Sequence, residues 1–217
     1  MLYDKDIREP LFEYLEENFG KIRIIEEKQM GKSRADVVMV RDGNITGIEI
    51  KSDADTFKRL DRQVLDYNRH FDYNYVVVGS SHAMHIEEHV PDWWGIITVD
   101  EANSTTKAAD FYMLRKAKEN PRVHYTFFRK RQIAFLWRTE LAHIQELHNF
   151  PKYKGKSKKF IQDLIFEKVS EEVLKKQITD ELFERDYNTI SDRIREYRET
   201  KNIAERKRRK RKPRVHI

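Results

Sequence analysis

The chain has 217 residues, a net charge of +6, 37% charged residues and no cysteine. Its mean hydropathy is −0.83, and no stretch is long and apolar enough for a membrane span. The absence of cysteine excludes disulfides and thiolate zinc sites. We therefore expect a cytoplasmic protein with one domain of ordinary size and an appendage.

Charge is distributed unevenly along the chain. Residues 107–168 contain fifteen basic and six acidic residues, and residues 201–217 contain nine basic residues and one acidic residue. The rest of the chain therefore carries a net charge of −11. Because clustered Lys and Arg attract the phosphate backbone of nucleic acids, we expect the second half to supply most of the attraction for DNA.

The first predicted elements are a helix at about 5–18 and a strand at about 22–28. The helix has apolar residues at helical spacing, and the strand precedes a second apolar run, 37–40. Asp36 stands at the start of this run. Aspartate is depleted in strands, so its position there indicates a specific role.

A hairpin is predicted where Asp42-Gly43 separates this run from the next strand, at 45–51. Asp-Gly favours a two-residue turn of type I′, in which both residues have positive φ. Counting back from such a turn places Asp36 opposite Glu49, with Cβ atoms about 5 Å apart. Lys51 lies on the same strand face as Glu49, because strand side chains repeat every two residues.

Two facing carboxylates repel unless a cation or a proton lies between them. Mg²⁺ suits carboxylates, carbonyl oxygens and water, and a neighbouring lysine can orient water or stabilise charge in phosphodiester hydrolysis. The alternative is an exposed hairpin whose charges are only solvated. The Glu-x-Lys tripeptide cannot exclude it, because 26–28 and 205–207 match the same pattern. The prediction of a metal site therefore depends on combining this tripeptide with Asp36 and with the helix that follows.

That helix is predicted at about 55–71. Arg59, Gln63 and Tyr67 recur every four residues and form a polar stripe beside the apolar face. An ordinary amphipathic helix with a polar flank would show the same pattern. Strands are predicted at 73–79 and 93–99, with the tryptophans of the second serving as packing groups.

The order Asp36, Glu49-x-Lys51, Gln63-x-x-x-Tyr67 resembles the PD-(D/E)XK nuclease superfamily, and its last part resembles the RecB-type branch. The chain is similar in particular to a little-characterised group of small bacterial and phage proteins in that superfamily. The likeness covers about residues 4–101. The segments that carry it are Ser33-Arg34-Ala35-Asp36, Gly47-Ile48-Glu49-Ile50-Lys51-Ser52-Asp53, Arg59-Leu60 with Gln63, and Pro91-Asp92-Trp93-Trp94-Gly95.

This resemblance implies an α/β fold with a restriction-endonuclease-like α-β-β-β-α-β core and a mixed sheet, followed by an α-helical C-terminal region. It also implies a site that binds Mg²⁺ or Mn²⁺. The metal ligands would be Asp36, Glu49, the carbonyl of Ile50 and an acidic residue of the first helix, for which Glu9 is the first candidate. The catalytic group would comprise Asp36, Glu49 and Lys51, with Gln63 and Tyr67 supporting the site or touching DNA.

Residues 133–169 read as a helix, a basic linker and a helix, which resembles a SAP-type DNA-binding motif. A small helical appendage packed on the core is equally compatible with the pattern. The predicted organisation is a core at 1–101, a connecting segment at 102–132, the SAP-like unit, a helical region at 170–200 and a basic, unfolded tail at 201–217. The predicted DNA-binding residues are Arg34, Arg59, Lys154, Lys156, Lys158, Lys159, Arg208, Arg209, Lys210 and Arg211.

The sequence therefore predicts a metal-dependent deoxyribonuclease acting in DNA repair, recombination, or phage or mobile-element DNA processing. The alternative is a DNA-binding or adaptor protein that keeps the fold without cutting. The resemblance makes a homodimer possible, because many nucleases of this kind are dimers.

Overall fold

The computed structural model describes residues 2–103, 108–125 and 127–185. The predicted tail and its four DNA-binding residues, Arg208 to Arg211, lie outside the described residues. The described helices are α1 (Asp4–Phe19), α2 (Leu60–His70), α3 (Ser80–Ala83), α4 (Phe128–Gln132), α5 (Arg138–Leu147), α6 (Lys158–Lys168) and α7 (Glu171–Phe183). The strands are β1 (Arg23–Met30), β2 (Ser33–Arg41), β3 (Asn44–Lys51), β4 (Tyr73–Gly79), β5 (Gly95–Asn103) and β6 (Ala108–Arg115).

The six strands form one mixed sheet in chain order, β1 to β6. β1, β2 and β3 form an antiparallel meander. β4 runs parallel to β3, β5 runs parallel to β4, and β6 returns antiparallel to β5. The α1-β1-β2-β3-α2-β4 order confirms the predicted mixed α/β core, and the helices after β6 confirm the helical C-terminal region.

The hairpin between β2 and β3 has the predicted register. Arg41 pairs with Asn44, and the ladder continues in that register to Val37 and Ile48. The predicted type I′ turn is wrong, because only glycine at position 43 has a positive φ there, at 67°. A single left-handed residue is therefore enough to set the two-residue loop that aligns the strands.

Two hydrophobic cores lie on opposite faces of the sheet. Helix α1 covers one face with Ile7, Leu11 and Leu15, which are fully buried. The other face packs against α2 and the C-terminal helices. The described residues up to 183 thus form three layers, and β2 and β3 lie in the middle layer. Within the described residues, no helix has both the length and the apolar character needed to cross a bilayer.

The helices α5, α6 and α7 contribute to the same hydrophobic core as α2 and the sheet. Residues 1–183 form one compact unit, and the described residues 184 and 185 are not part of it. The basic helix-linker-helix segment therefore contributes to the core on that face of the sheet. Its SAP-type likeness stays a prediction.

Three local features differ from the predicted elements. The segment 102–132, treated as a connection, contains the edge strand β6. The helix predicted from 55 starts with a short 3₁₀ turn, Phe57–Arg59, before α2. The helix predicted from 133 is likewise a 3₁₀ turn, Ile133–Phe135, followed by an extended Leu136 and then α5.

Candidate active site

A cleft of about 480 Å³ opens at the carboxyl end of β3. The residues that line it are Asp4, Arg8, Glu27, Lys32, Ser33, Arg34, Asp36, Glu49, Ile50, Lys51, Asp55, Arg59, Arg62 and Gln63. The sequence-predicted Asp36, Glu49, Ile50, Lys51 and Gln63 are thus brought together with Arg34 and Arg59. Tyr67 lies fully buried beside them.

Glu49 is the centre of a buried hydrogen-bond network between β3 and α2. Its Oε1 accepts from Lys51 Nζ, in an ion pair, and from Gln63 Nε2 at 2.5 Å. Lys51 also donates to Gln63 Oε1 at 3.1 Å. The Tyr67 hydroxyl donates to Glu49 Oε2 at 2.8 Å. The polar stripe of α2 therefore fixes the carboxylate and the lysine of β3 in one arrangement.

Asp36 lies across from this network at the end of the β2–β3 ladder. Its Oδ2 accepts from the backbone amide of Ile50 at 2.9 Å, and its own amide donates to the Tyr67 hydroxyl at 3.3 Å. Burial, followed by repulsion from Glu49, raises the pKa of Asp36 to about 7. The two carboxylates are thus close enough to repel each other, and Lys51 and Arg8 are the cations that oppose the rise in the pKa of Asp36.

The residues that could hold a divalent cation are Asp36, Glu49 and the Ile50 carbonyl. Among the described residues, no three acidic or histidine side chains are arranged to enclose a metal ion. Mg²⁺ commonly binds through only one or two carboxylates and keeps several waters, so two are sufficient.

The first helix contributes different residues from those predicted. Glu9 is exposed and is not part of the cleft lining. Asp4 and Arg8 line the cleft instead, and Arg8 Nε pairs with Asp4 Oδ2 at 2.7 Å. The four-residue spacing of an acid and an arginine was the available signal for this pair. Arg8 also reaches Asp36, at 3.8 Å between Nη2 and Oδ1, which local sequence could not indicate.

Basic residues surround the cleft on several elements. Arg34 and Arg59, two of the predicted DNA-binding residues, line the cleft. Lys32 and Arg62 line it as well. The distribution of charge along the chain predicts that most of the basic residues that attract DNA lie beyond residue 106. The fold instead brings positive side chains from the β1–β2 turn, β2, the 3₁₀ turn and α2 to the rim, so the cleft has basic groups of its own.

The basic linker precedes α6, and its residues are not part of the cleft lining. Ser157 caps this helix by accepting from the Phe160 amide at 3.1 Å. Lys158 donates to the Ala134 carbonyl, and Lys156 Nζ lies 5.3 Å from the centre of the Phe160 ring. Of the other two predicted residues, Lys154 is exposed and Lys159 pairs with Asp163 at 3.8 Å.

The fold and the cleft define a mixed α/β protein with a polar site at the carboxyl end of a central strand. The chain belongs to the family of bacteriophage P4 protein cII, whose model matches residues 2–208. A search of curated proteins finds no match. A solved structure of SfsA from Pyrococcus furiosus in complex with Ca²⁺ is similar at 16% identity, with a TM-score of 0.30. That match covers 50% of this chain and 59% of the SfsA chain.

Replacing Tyr67 with phenylalanine tests the support of the site from α2. The Tyr67 hydroxyl is buried between the Asp36 amide, Glu49 Oε2 and, at 3.1 Å, the Ile48 carbonyl. We expect Tyr67→Phe to lower the free energy of unfolding by about 1–3 kcal/mol, because its partners remain buried and unpaired. Urea unfolding followed by circular dichroism measures the loss. Tyr112→Phe, at an exposed tyrosine, is the matched control, and equal urea midpoints for the two variants would contradict the expectation.

Proposed function

We propose that this protein is a metal-dependent DNA nuclease of the PD-(D/E)XK type, which hydrolyses phosphodiester bonds. The observation that carries the proposal is the meeting of Asp36, Glu49 and Lys51 at the carboxyl end of β3, in an open cleft. Two carboxylates that need a cation and a lysine held beside them are the groups that metal-assisted phosphodiester hydrolysis requires.

The roles follow from the contacts in the cleft. Asp36, Glu49 and the Ile50 carbonyl would hold Mg²⁺ or Mn²⁺, which would polarise the phosphate and lower the pKa of a bound water. Lys51 would stabilise the negative charge that develops on the phosphate. Gln63 keeps Lys51 and Glu49 in a fixed relation, because it bonds to both of them.

The cleft rim supports DNA as the substrate. Arg34 and Arg59 lie beside the carboxylates, where they can contact phosphates close to the bond that is cut. The exposed basic linker before α6 would add contacts further along the backbone. Membership in a bacteriophage protein family favours a setting in phage or mobile-element DNA processing, and DNA repair or recombination would use the same chemistry.

A second candidate function is DNA binding without cleavage. The specific observation in its favour is that both oxygens of Glu49 already accept hydrogen bonds, from Lys51, Gln63 and Tyr67. A site satisfied in this way can serve as a structural element under a DNA-binding surface. It differs from the nuclease in one measurable respect, which is the response of DNA to a divalent metal.

The deciding experiment incubates the purified chain with linear, circular, single-stranded and branched DNA in Mg²⁺, Mn²⁺ or EDTA. We expect cleavage of at least one substrate with metal and none in EDTA. Lys51→Met should reduce the cleavage rate by about 100- to 1,000-fold, the usual cost of removing one group that stabilises transition-state charge.

The matched control is Lys58→Met. Lys58 is an exposed lysine that is not part of the cleft lining, so its variant should cut at the parent rate. Absence of metal-dependent cleavage on every substrate, combined with retained DNA binding, would replace the nuclease with the binding protein. Equal rates for the parent and Lys51→Met would remove Lys51 from the mechanism.

A further inference from the structure

The pairing between neighbouring strands is interrupted at Asp36. On one side, β1 pairs Glu26 with Val37 and Lys28 with Ala35, and leaves the position between them unpaired. That position brings Glu27 opposite Asp36, and Glu27 has a left-handed φ of 54°. A non-glycine residue held in this region is strained and persists only where its surroundings impose it. Around Asp36, contacts with side chains therefore take the place of pairing with the neighbouring strand.

Arg8 is the side chain that fills this opening. Its Nη1 donates to the Asp36 carbonyl at 3.3 Å, and its Nη2 lies 2.9 Å from Glu27 Oε1. Its Nε pairs with Asp4 at 2.7 Å, and Glu26 lies 3.6 Å from Nη1. The guanidinium thus joins α1, β1 and β2 from a position where only 17% of the Arg8 side chain is exposed.

The Arg8 guanidinium lies beside Asp36 Oδ1, and we call this the outer side of the Asp36 carboxylate. Arg8 Nη2 lies 3.8 Å from Asp36 Oδ1, while Asp36 Oδ2 faces the Ile50 amide on the Glu49 side. In sites with two metals the ions stand about 3.5–4 Å apart and share carboxylates. A second ion on the outer side of Asp36 would therefore meet the guanidinium, which is always charged.

We propose that the site takes a single divalent cation, with Arg8 as the fixed second positive charge of the cleft. The inference rests on the proposed function, because it concerns the metal that the nuclease would use. In this arrangement Asp36 and Glu49 share the ion on the inner side. Arg8 holds the outer wall made by Asp4 and Glu27 through its ion pairs with both carboxylates.

Counting bound Mn²⁺ on the full-length chain tests the proposal without any cleavage assay. Isothermal titration calorimetry gives the number of sites, and electron paramagnetic resonance distinguishes isolated Mn²⁺ from exchange-coupled pairs. We expect one isolated Mn²⁺ per parent chain. Arg8→Met should take up two Mn²⁺ and show a coupled-pair signal, because Asp4, Glu27 Oε1 and the outer side of Asp36 lose the guanidinium. Glu27 Oε2 keeps its ion pair with Arg34. Arg8→Met with Glu27→Gln should return to one.

The matched control is Arg69→Met, at an exposed arginine that is not part of the cleft lining, which should still bind one Mn²⁺. Two ions on the parent, or one ion on a folded Arg8→Met, would overturn the inference and leave the nuclease proposal intact. No Mn²⁺ on the parent would overturn both. If Arg8→Met does not fold by circular dichroism, Arg8→Lys replaces it. That variant keeps the charge but loses the guanidinium contacts, and weaker exclusion of the second ion is expected, whereas one ion at every Mn²⁺ concentration would contradict the role of Arg8.

Discussion

Asp36→Asn is expected to stabilise the metal-free protein at pH 8, by about 2–4 kcal/mol in the free energy of unfolding. Most substitutions of buried polar residues destabilise, so the sign of this effect is diagnostic. The reason is that Asp36 is held beside Glu49 in a buried site that favours its neutral form, with a pKa raised from 3.8 to about 7. Each pKa unit corresponds to about 1.4 kcal/mol, and asparagine keeps the shape without the charge.

The pH dependence has a definite sign. Because the pKa in the folded state lies above that in the unfolded state, the neutral carboxyl favours folding below about pH 4. This contribution is lost as pH rises through about 7. The advantage of Asp36→Asn over the parent should therefore be absent at the acid end, grow between about pH 4 and 7, and level off above it. Urea unfolding in EDTA across this range measures it.

Divalent metal should reverse the order of the two proteins. We expect Mn²⁺ to bind the folded parent through both carboxylates and to raise its melting temperature, since a ligand that binds only the folded state stabilises it. Asp36→Asn should gain little. Asp61→Asn, at an exposed acid of α2, is the control and should follow the parent throughout. A destabilised Asp36→Asn in EDTA at pH 8 would mean that Asp36 is a structural carboxylate.

The sequence allowed the site to be predicted wherever the determinants were local. Gly43 and the alternating pattern after it were enough to give the β2–β3 register, and the four-residue repeat gave Gln63 and Tyr67 on one stripe of α2. Each of these features depends only on residues of the same hairpin or of the same helix. The placement of Asp36, Glu49 and Lys51 around one cleft follows from them.

The remaining features depend on contacts between distant segments. Arg8 meets Asp36 across 28 positions. The four-residue spacing indicates the Asp4–Arg8 pair within the helix, but it does not show that the pair lies beside Asp36. The same limit applies to the edge strand β6. Its apolar residues Tyr112 and Leu114 are exposed, so the apolar pattern of this segment does not indicate a buried strand. Counting charge along the chain also missed Lys32 and Arg62, because the cleft collects residues by fold.

The largest expected loss of stability comes from Arg129→Met, far from the cleft. Arg129 Nη1 pairs with Asp72 Oδ1 at 2.5 Å, and their side chains are 5% and 1% exposed. Asp72 Oδ2 also accepts from Gln132 Nε2 at 3.0 Å and from the Ile45 amide at 2.9 Å. Removing the arginine leaves a buried carboxylate without its counter-charge, which costs about 3–5 kcal/mol. Chemical denaturation followed by tryptophan fluorescence measures the loss.

The double variant Arg129→Met with Asp72→Asn should recover part of this loss, because it removes the unpaired charge and keeps a group that can accept from the Ile45 amide. Lys130→Met is the neighbouring control. Lys130 pairs with Asp163 in a partly exposed position, so its loss should be much smaller. Asp72 ties α4 to the start of β3, the strand that carries Glu49 and Lys51. Hydrogen exchange at the β3 amides should therefore rise in Arg129→Met and not in Lys130→Met, whereas unchanged exchange would show that the C-terminal helices and the strand unfold independently.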